Sequence, residues 1–342
     1  AKETIVIIGT GAAVVAEKGV FVFNSGNQAS GIDGTLSFID EKTETVSNNV
    51  FETTNERKLG STVQDGVILG NNLYIAVSKS NTIEVVNKNT LVSVVQIVPT
   101  PAQGNTPRDI VTDGKYVYVS MYTGVVSRID PSTNTIDKTV AVGPNPEEMV
   151  IVNKSLYVTN SDGNNYNAGY ANGKSVSKIS LSDFVEEKKI AVGLNPTKIT
   201  ADALGNVLVL CMGDYSATPA TVWKINAEDE ATSMNIPATI MDIKDNSLYV
   251  INAPYGAPFI TYTVYNTSSG AVEKENFVSA PVDAPAGIAV HSDGRIFITS
   301  YTLVGGFASY KTPGYVSEYS SDGTFVKKYD VGVGAVSMTF LK

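Results

Sequence analysis

Apolar and polar residues alternate along this chain in short runs separated by polar turns. Period two is the spacing of strands, whose successive side chains point to opposite faces. One run returns seven times: VFVFN around Phe21, LYIAV around Tyr74, VYVSM around Tyr118, LYVTN around Tyr157, VLVLC around Leu208, LYVIN around Tyr249 and IFITS around Phe297. The copies lie roughly 46 residues apart on average, within the period of β-propeller blades. Each has one apolar run before it and two after it. Four strands per repeat predict an all-β fold, a seven-bladed β-propeller of four-stranded antiparallel blades, forming a single domain over residues 1–342. We letter the strands a to d from the axis outward.

The segments Val142–Pro146 and Val192–Pro196 both read V-G-x-N-P. On the propeller reading, each is the end of strand d, the corner to the next blade and the start of strand a. Gly is expected to supply a positive φ, Asn to bond its own backbone, and Pro to end the old strand. Leu181–Lys189, with Ser182 as cap, has the look of a short helix. It aligns without a gap on PSTNTIDKT of the preceding repeat, so a hairpin is expected. At the termini, TIVIIG resembles strand d, and both GAAVVAEKG and GAVSMTFLK resemble strand a. The ring is expected to close by pairing of N- and C-terminal strands, because an open ring leaves bare edges.

The literal Tyr157-Val158-Thr159-Asn160, its relative Tyr249-Val250-Ile251-Asn252, and V-G-x-N-P resemble the YVTN-type seven-bladed propellers along the whole chain. The loose Asn- and Tyr-rich repeats are also similar to surface lipoprotein propellers of gut Bacteroidetes. Some of those capture corrinoids (vitamin B12) and pass them to an outer-membrane transporter. That resemblance implies an exported protein at the cell surface or outer membrane, with a signal and a lipidated Cys ahead of Ala1. The lactonases of the YVTN group are thought to use histidine near the channel mouth.

Composition narrows the function classes. The chain is 43% hydrophobic and 17% charged, which supports a real core. Its net charge of −9 argues against nucleic acid and anionic membrane surfaces. No apolar run reaches the length of a membrane span. A monomer is expected. A single cysteine, Cys211, permits no internal disulfide and sits in an apolar run as a buried thiol. The one histidine, His291, falls in HSDG, a turn between strands a and b on the face opposite the corners. A Ser-His-Asp triad or a His-rich metal centre is therefore not expected, and lactonase activity is put in doubt. Gly9-Thr10-Gly11 imitates a dinucleotide fingerprint but lacks the third Gly and a following helix. Asp162-Gly163-Asn164-Asn165 lacks the spacing of a calcium loop. No cofactor, metal or catalytic residue is assigned. Trp223, on strand c, reads as packing between blades.

Corners and b-to-c loops share one face. The loops are long in blades 1 and 4 to 7, and long loops on a rigid frame carry function. They hold many of the chain's 17 tyrosines: Tyr122, Tyr166, Tyr170, Tyr215, Tyr255, Tyr301 and Tyr310, joined by Phe259 and Phe307. Either each ring pins its own loop, or the rings form a shared platform with hydroxyls at its edges. The corners add Gln64 and Asp65, Arg108 and Asp109, Glu147 and Glu148, and Thr197 and Lys198; blades 6 and 7 give Ala238-Thr239 and Ala286-Gly287. These are either solvated, mutually paired corners or an asymmetric funnel that orients a polar ligand. Four rings shedding roughly 100 Å² each gain about 10 kcal/mol gross, against about 4–15 kcal/mol for association. A small sugar would then bind weakly, whereas a large rigid ligand touching several loops would bind tightly. Three functions stay open: a non-catalytic capture protein for a large ligand such as a corrinoid, a lactonase-like metal-dependent hydrolase, and a scaffold for another surface protein such as a transporter.

Overall fold

In the computed structural model, which describes residues 17–342, the repeats form seven four-stranded antiparallel sheets arranged as a propeller. The C-terminal strand Ala335–Leu341 pairs with Gly19–Asn24 and occupies the innermost place of blade 1. Strands b, c and d of that blade are Gly19–Asn24, Thr35–Asp40 and Thr45–Ser47. Closure is therefore one strand from the C-terminus on three from the N-terminal part, which leaves no open gap in the ring. The expected strands in Thr4–Gly9 and most of Gly11–Gly19, and the Gly9-Thr10-Gly11 motif, lie outside the described residues. Among the described residues no helix is long and apolar enough to cross a membrane.

Strand a runs Val63–Leu69, Pro107–Thr112, Pro146–Val152, Pro196–Ala201, Ile240–Lys244 and Pro285–Val290 in blades 2 to 7. The recurrent run is strand b in every blade, buried nearly throughout. Leu181–Lys189 is a hairpin turn and the start of the strand Val185–Ala191, as the alignment predicts. The core is divided into separate apolar clusters, several of which join neighbouring blades: Tyr157 and Val176 of blade 4 pack with Ile199 and Val207 of blade 5.

The motif tyrosine of strand b also reaches the next blade on the face away from the corners. Tyr74 Oη donates to Asn134 Oδ1 at 2.6 Å, and Tyr157 Oη donates to Asp229 Oδ1 at 3.3 Å. Both acceptors stand in the c-to-d turn of the following blade. Tyr118 packs its ring on Phe184, in the same turn of blade 4, with centroids 5.7 Å apart. The tyrosine thus belongs to the frame.

The corners correct two expectations. Gly143 and Gly193 do not take a positive φ. The left-handed residue is the one just before strand a: Thr62 (φ 64°), Thr106 (64°), Asn145 (50°) and Asn195 (58°). Gly is required instead for close approach, since a Cβ on Gly143 would lie 2.5 Å from Cγ of Asn160. Nor does Asn145 bond its own backbone. Its Nδ2 donates to the Tyr122 carbonyl at 3.0 Å and its Oδ1 accepts from Asn164 N at 3.0 Å, joining the b-to-c loops of blades 3 and 4.

Candidate functional site

Nine residues singled out at the corners line one cavity of about 470 Å³ at the mouth of the central channel: Gln64, Asp65, Arg108, Asp109, Glu147, Glu148, Thr197, Lys198 and the small Ala286. They are brought there by strand a, whose second and third residues line the mouth where the pairing with strand b shifts register. Ala286, Val336 and Ser337 supply the small side of the wall. Blade 6 departs from expectation: its strand a begins at Ile240, Ala238 is fully buried, and neither Ala238 nor Thr239 lines the mouth.

The charges are satisfied by one another. Arg108 Nη2 pairs with Glu147 Oε1, and the guanidinium lies 4.6 Å from the centroid of the Tyr122 ring. Lys198 Nζ meets Glu148 Oε2 at 3.3 Å. Glu148 raises the pKa of this lysine and keeps it charged. Three acids, Glu148 among them, stitch the inner strands. Asp65 accepts from Ile110 N, Asp109 Oδ2 from Met149 N at 2.8 Å, and Glu148 Oε1 from Ile199 N at 3.3 Å. Each bond runs from one blade's strand a to the next blade's, because parallel inner strands of neighbouring sheets leave an N–H that no sheet partner uses.

Asp65 and Asp109 also meet side chain to side chain. Burial, and then the neighbouring Asp65, pushes Asp109 well above the usual carboxylate range, and burial raises Asp65 too. Two like charges this close cannot both ionise readily, so the pair keeps a proton well above the pH at which free aspartates lose theirs.

Sequence reasoning missed Asp242. It lines a deeper compartment of about 390 Å³ that shares Glu148, Lys198 and Ser337 with the mouth. Its Oδ2 accepts from Val290 N at 2.7 Å, the same stitch one step deeper, and burial raises its pKa to about 7. A lone acid in the apolar strand IMDIK was the available signal. Blade 1 replaces acids by hydroxyls: Ser337 Oγ donates to the Gln64 carbonyl at 2.8 Å and Thr339 Oγ1 to that of Gly66 at 2.6 Å.

The rings divide into two groups. Tyr170 and Tyr215 meet edge-on at 6.3 Å, as do Tyr301 and Tyr310 at 4.8 Å. With Tyr122 these flank the mouth: Tyr122 and Tyr215 lie within electrostatic reach of Glu147, and Tyr301 of Lys198. Tyr166, Tyr255, Phe259 and Phe307 project outward, exposed by 62%, 100%, 78% and 80%, and none meets another ring among the described residues. Pinning of a single loop therefore describes Tyr301 with Tyr310, whereas Tyr170 and Tyr215 join the loops of blades 4 and 5. Asp162 bonds Asn165 Nδ2 and Asn172 N at 2.8 Å each, closing its own loop. Among the described residues no three His, Cys, Asp or Glu side chains are grouped as metal ligands. His291 sits in its a-to-b turn against Phe340, ring centroids 4.8 Å apart.

Residues 18–331 match the family described as "Domain of unknown function (DUF5074)", and the chain belongs to it. No curated protein matches the chain. Solved structures share the fold. A functionally unknown protein from Desulfotomaculum acetoxidans is 12% identical, with a TM-score of 0.64 over 95% of this chain and 99% of that one. Hydrazine synthase from Kuenenia stuttgartiensis is 15% identical, with a TM-score of 0.57 over 78% of this chain and 85% of that one. The computationally designed Ika8 protein is 9% identical, with a TM-score of 0.54 over 80% and 89%. At these identities the likeness concerns the fold alone.

Proposed function

We propose that this DUF5074 propeller is a non-catalytic capture protein that binds a large, partly apolar ligand on the long-loop face. The observation that carries this reading is the set of exposed rings on the loops of blades 4, 6 and 7, Tyr166, Tyr255, Phe259 and Phe307, beside a mouth whose charges are already paired. Apolar rings held out in water on rigid loops are surface kept for a partner. The paired charges and the tyrosine hydroxyls supply polar contacts at the centre.

In its finer form the ligand is a corrinoid: broad, rigid, with apolar ring edges and many amides to meet Tyr hydroxyls and carboxylates. The chain would then act at the cell surface and hand its ligand to an outer-membrane transporter, as the resemblance to the surface lipoprotein propellers of gut Bacteroidetes implies. Hydrolase chemistry has less support. Glu147 and Glu148 are tied to Arg108 and Lys198, and Asp65 and Asp109 to each other and to backbone N–H groups. A free general base or an open ligand set would need these bonds broken.

Calorimetric titration with cyanocobalamin tests the corrinoid. A saturable heat with a change in tyrosine emission is expected at micromolar protein. Absence of both removes the corrinoid. Co-purification with a transporter in its place would move the exposed rings to a protein interface.

A further inference from the structure

Blades 1 and 4 close the space beneath their corners with the same polar plug. In blade 4, Asn160 Nδ2 donates to Ser175 Oγ at 3.0 Å and Ser177 Oγ at 2.9 Å. In blade 1, Asn24 Nδ2 donates to Thr35 Oγ1 at 3.2 Å and Ser37 Oγ at 2.9 Å. In blade 5 the strand register puts Cys211, Thr221 and Trp223 at these three places: Cys211 stands opposite Thr221 and Val209 opposite Trp223, as Asn160 stands opposite Ser175 and Val158 opposite Ser177. The plug is gone. Thr221 Oγ1 is buried without the partner its equivalents have.

The indole occupies part of the vacated space and lies close against Gly193, where an added Cβ would be 2.4 Å from Nε1. A cleft of about 380 Å³ remains between the blade 5 loop and the corners on either side. Leu194, Pro219 and Pro237 give it apolar walls, and no charged side chain lines it. This volume is within the range of small-molecule sites. Uncharged apolar walls oppose a charged ligand through desolvation. A planar indole favours a flat ring, and its N–H, which bonds no acceptor among the described residues, favours a ring that carries one.

We propose that this cleft is a second ligand site, separate from the channel mouth, for an uncharged flat heteroaromatic ring whose acceptor meets the Trp223 indole N–H. The site does not depend on the corrinoid reading. It arises because blade 5 carries Cys211 and Trp223 where blades 1 and 4 carry the residues of a hydrogen-bonded plug.

Trp223 is the only tryptophan in the chain, so its emission reports on this cleft alone. Titration with benzimidazole, neutral at mildly basic pH, is expected to shift that emission saturably. Indene has the same bicyclic shape without the nitrogens and is expected to bind about fivefold more weakly, the worth of one hydrogen bond. The double variant Cys211→Asn/Trp223→Ser, with Thr221 kept, rebuilds the Asn-Thr-Ser plug of blade 1 and is expected to abolish the calorimetric signal of benzimidazole. Ala220→Leu narrows the cleft from the loop side and is expected to weaken binding, which keeps the test open if the double variant fails to fold. No saturable shift, equal binding of indene, or unchanged binding in Ala220→Leu overturns the proposal.

Discussion

Gly143 donates its backbone N–H to Oδ1 of Asn160 at 3.0 Å, and a side chain at Gly143 would overlap that amide. The last residue of the YVTN-like run thus holds the corner by which the chain enters its own blade. The two sequence signatures of the repeat are halves of one contact.

Gly143→Ala places a methyl group 2.5 Å from Asn160 Cγ in a rigid setting. We expect a loss of about 2–3 kcal/mol, the range for overpacking a buried site. Urea unfolding followed by far-UV circular dichroism measures it. A midpoint equal to that of the parent protein would show that the corner yields freely.

Thr106 is a β-branched residue held at φ 64° in the corner before blade 3, where blades 4 and 5 use Asn. Left-handed backbone strains a β-branched residue more than Asn. Thr106→Asn is expected to raise stability by about 0.5–1 kcal/mol. The same unfolding experiment gives the sign.

Asp242 is raised by burial from an ordinary aspartate to about 7, and Asp65 and Asp109 are raised as well. Between the unfolded and folded pKa values the native state binds more protons than the unfolded chain. Stability contributed by these acids is therefore present at low pH and lost as pH rises from about 4 towards 7. Asp242→Asn should be more stable than the parent by about 2–4 kcal/mol at pH 8, with the gap closing near pH 4. A gap that does not depend on pH would show that Asp242 ionises normally.

Tyr255 and Phe307 are fully or largely exposed, so truncating them disturbs no packing. If the long-loop face captures its ligand through these rings, Tyr255→Ala and Phe307→Ala each weaken cyanocobalamin binding by about 1–2 kcal/mol, with an unchanged melting temperature. Full retained affinity in both variants would place the ligand elsewhere.

Burial pushes the Cys211 thiol up to about 12. The native protein should resist iodoacetamide at pH 8 and label promptly in urea, read by mass spectrometry. Fast native labelling would mean that the strand opens.

The frame was legible because it repeats. The seven strand-b runs and the gap-free alignment of the blade 3 and blade 4 hairpins left little freedom in blade number or strand order. The mouth was legible to the extent that strand a began at a corner Pro or its equivalent, which set Asp65, Arg108, Asp109, Glu147, Glu148 and Lys198 at one depth. In blade 6 the strand starts later, and counting from Pro237 passed over Asp242. The blade 5 cleft was not legible, because its cause is three residues from two strands whose meeting depends on pairing register.

The sequence by itself determined the ring: strand period and blade count follow from local patterns, each written within a few residues and repeated. Only the tertiary structure decided what the unshared residues do. Which carboxylates pair, which rings stand free, which corner glycine faces an asparagine and which a tryptophan, and which terminus supplies the innermost strand all depend on contacts between residues far apart in the chain. Side-chain charge and burial are set by those neighbours, and no local pattern records them.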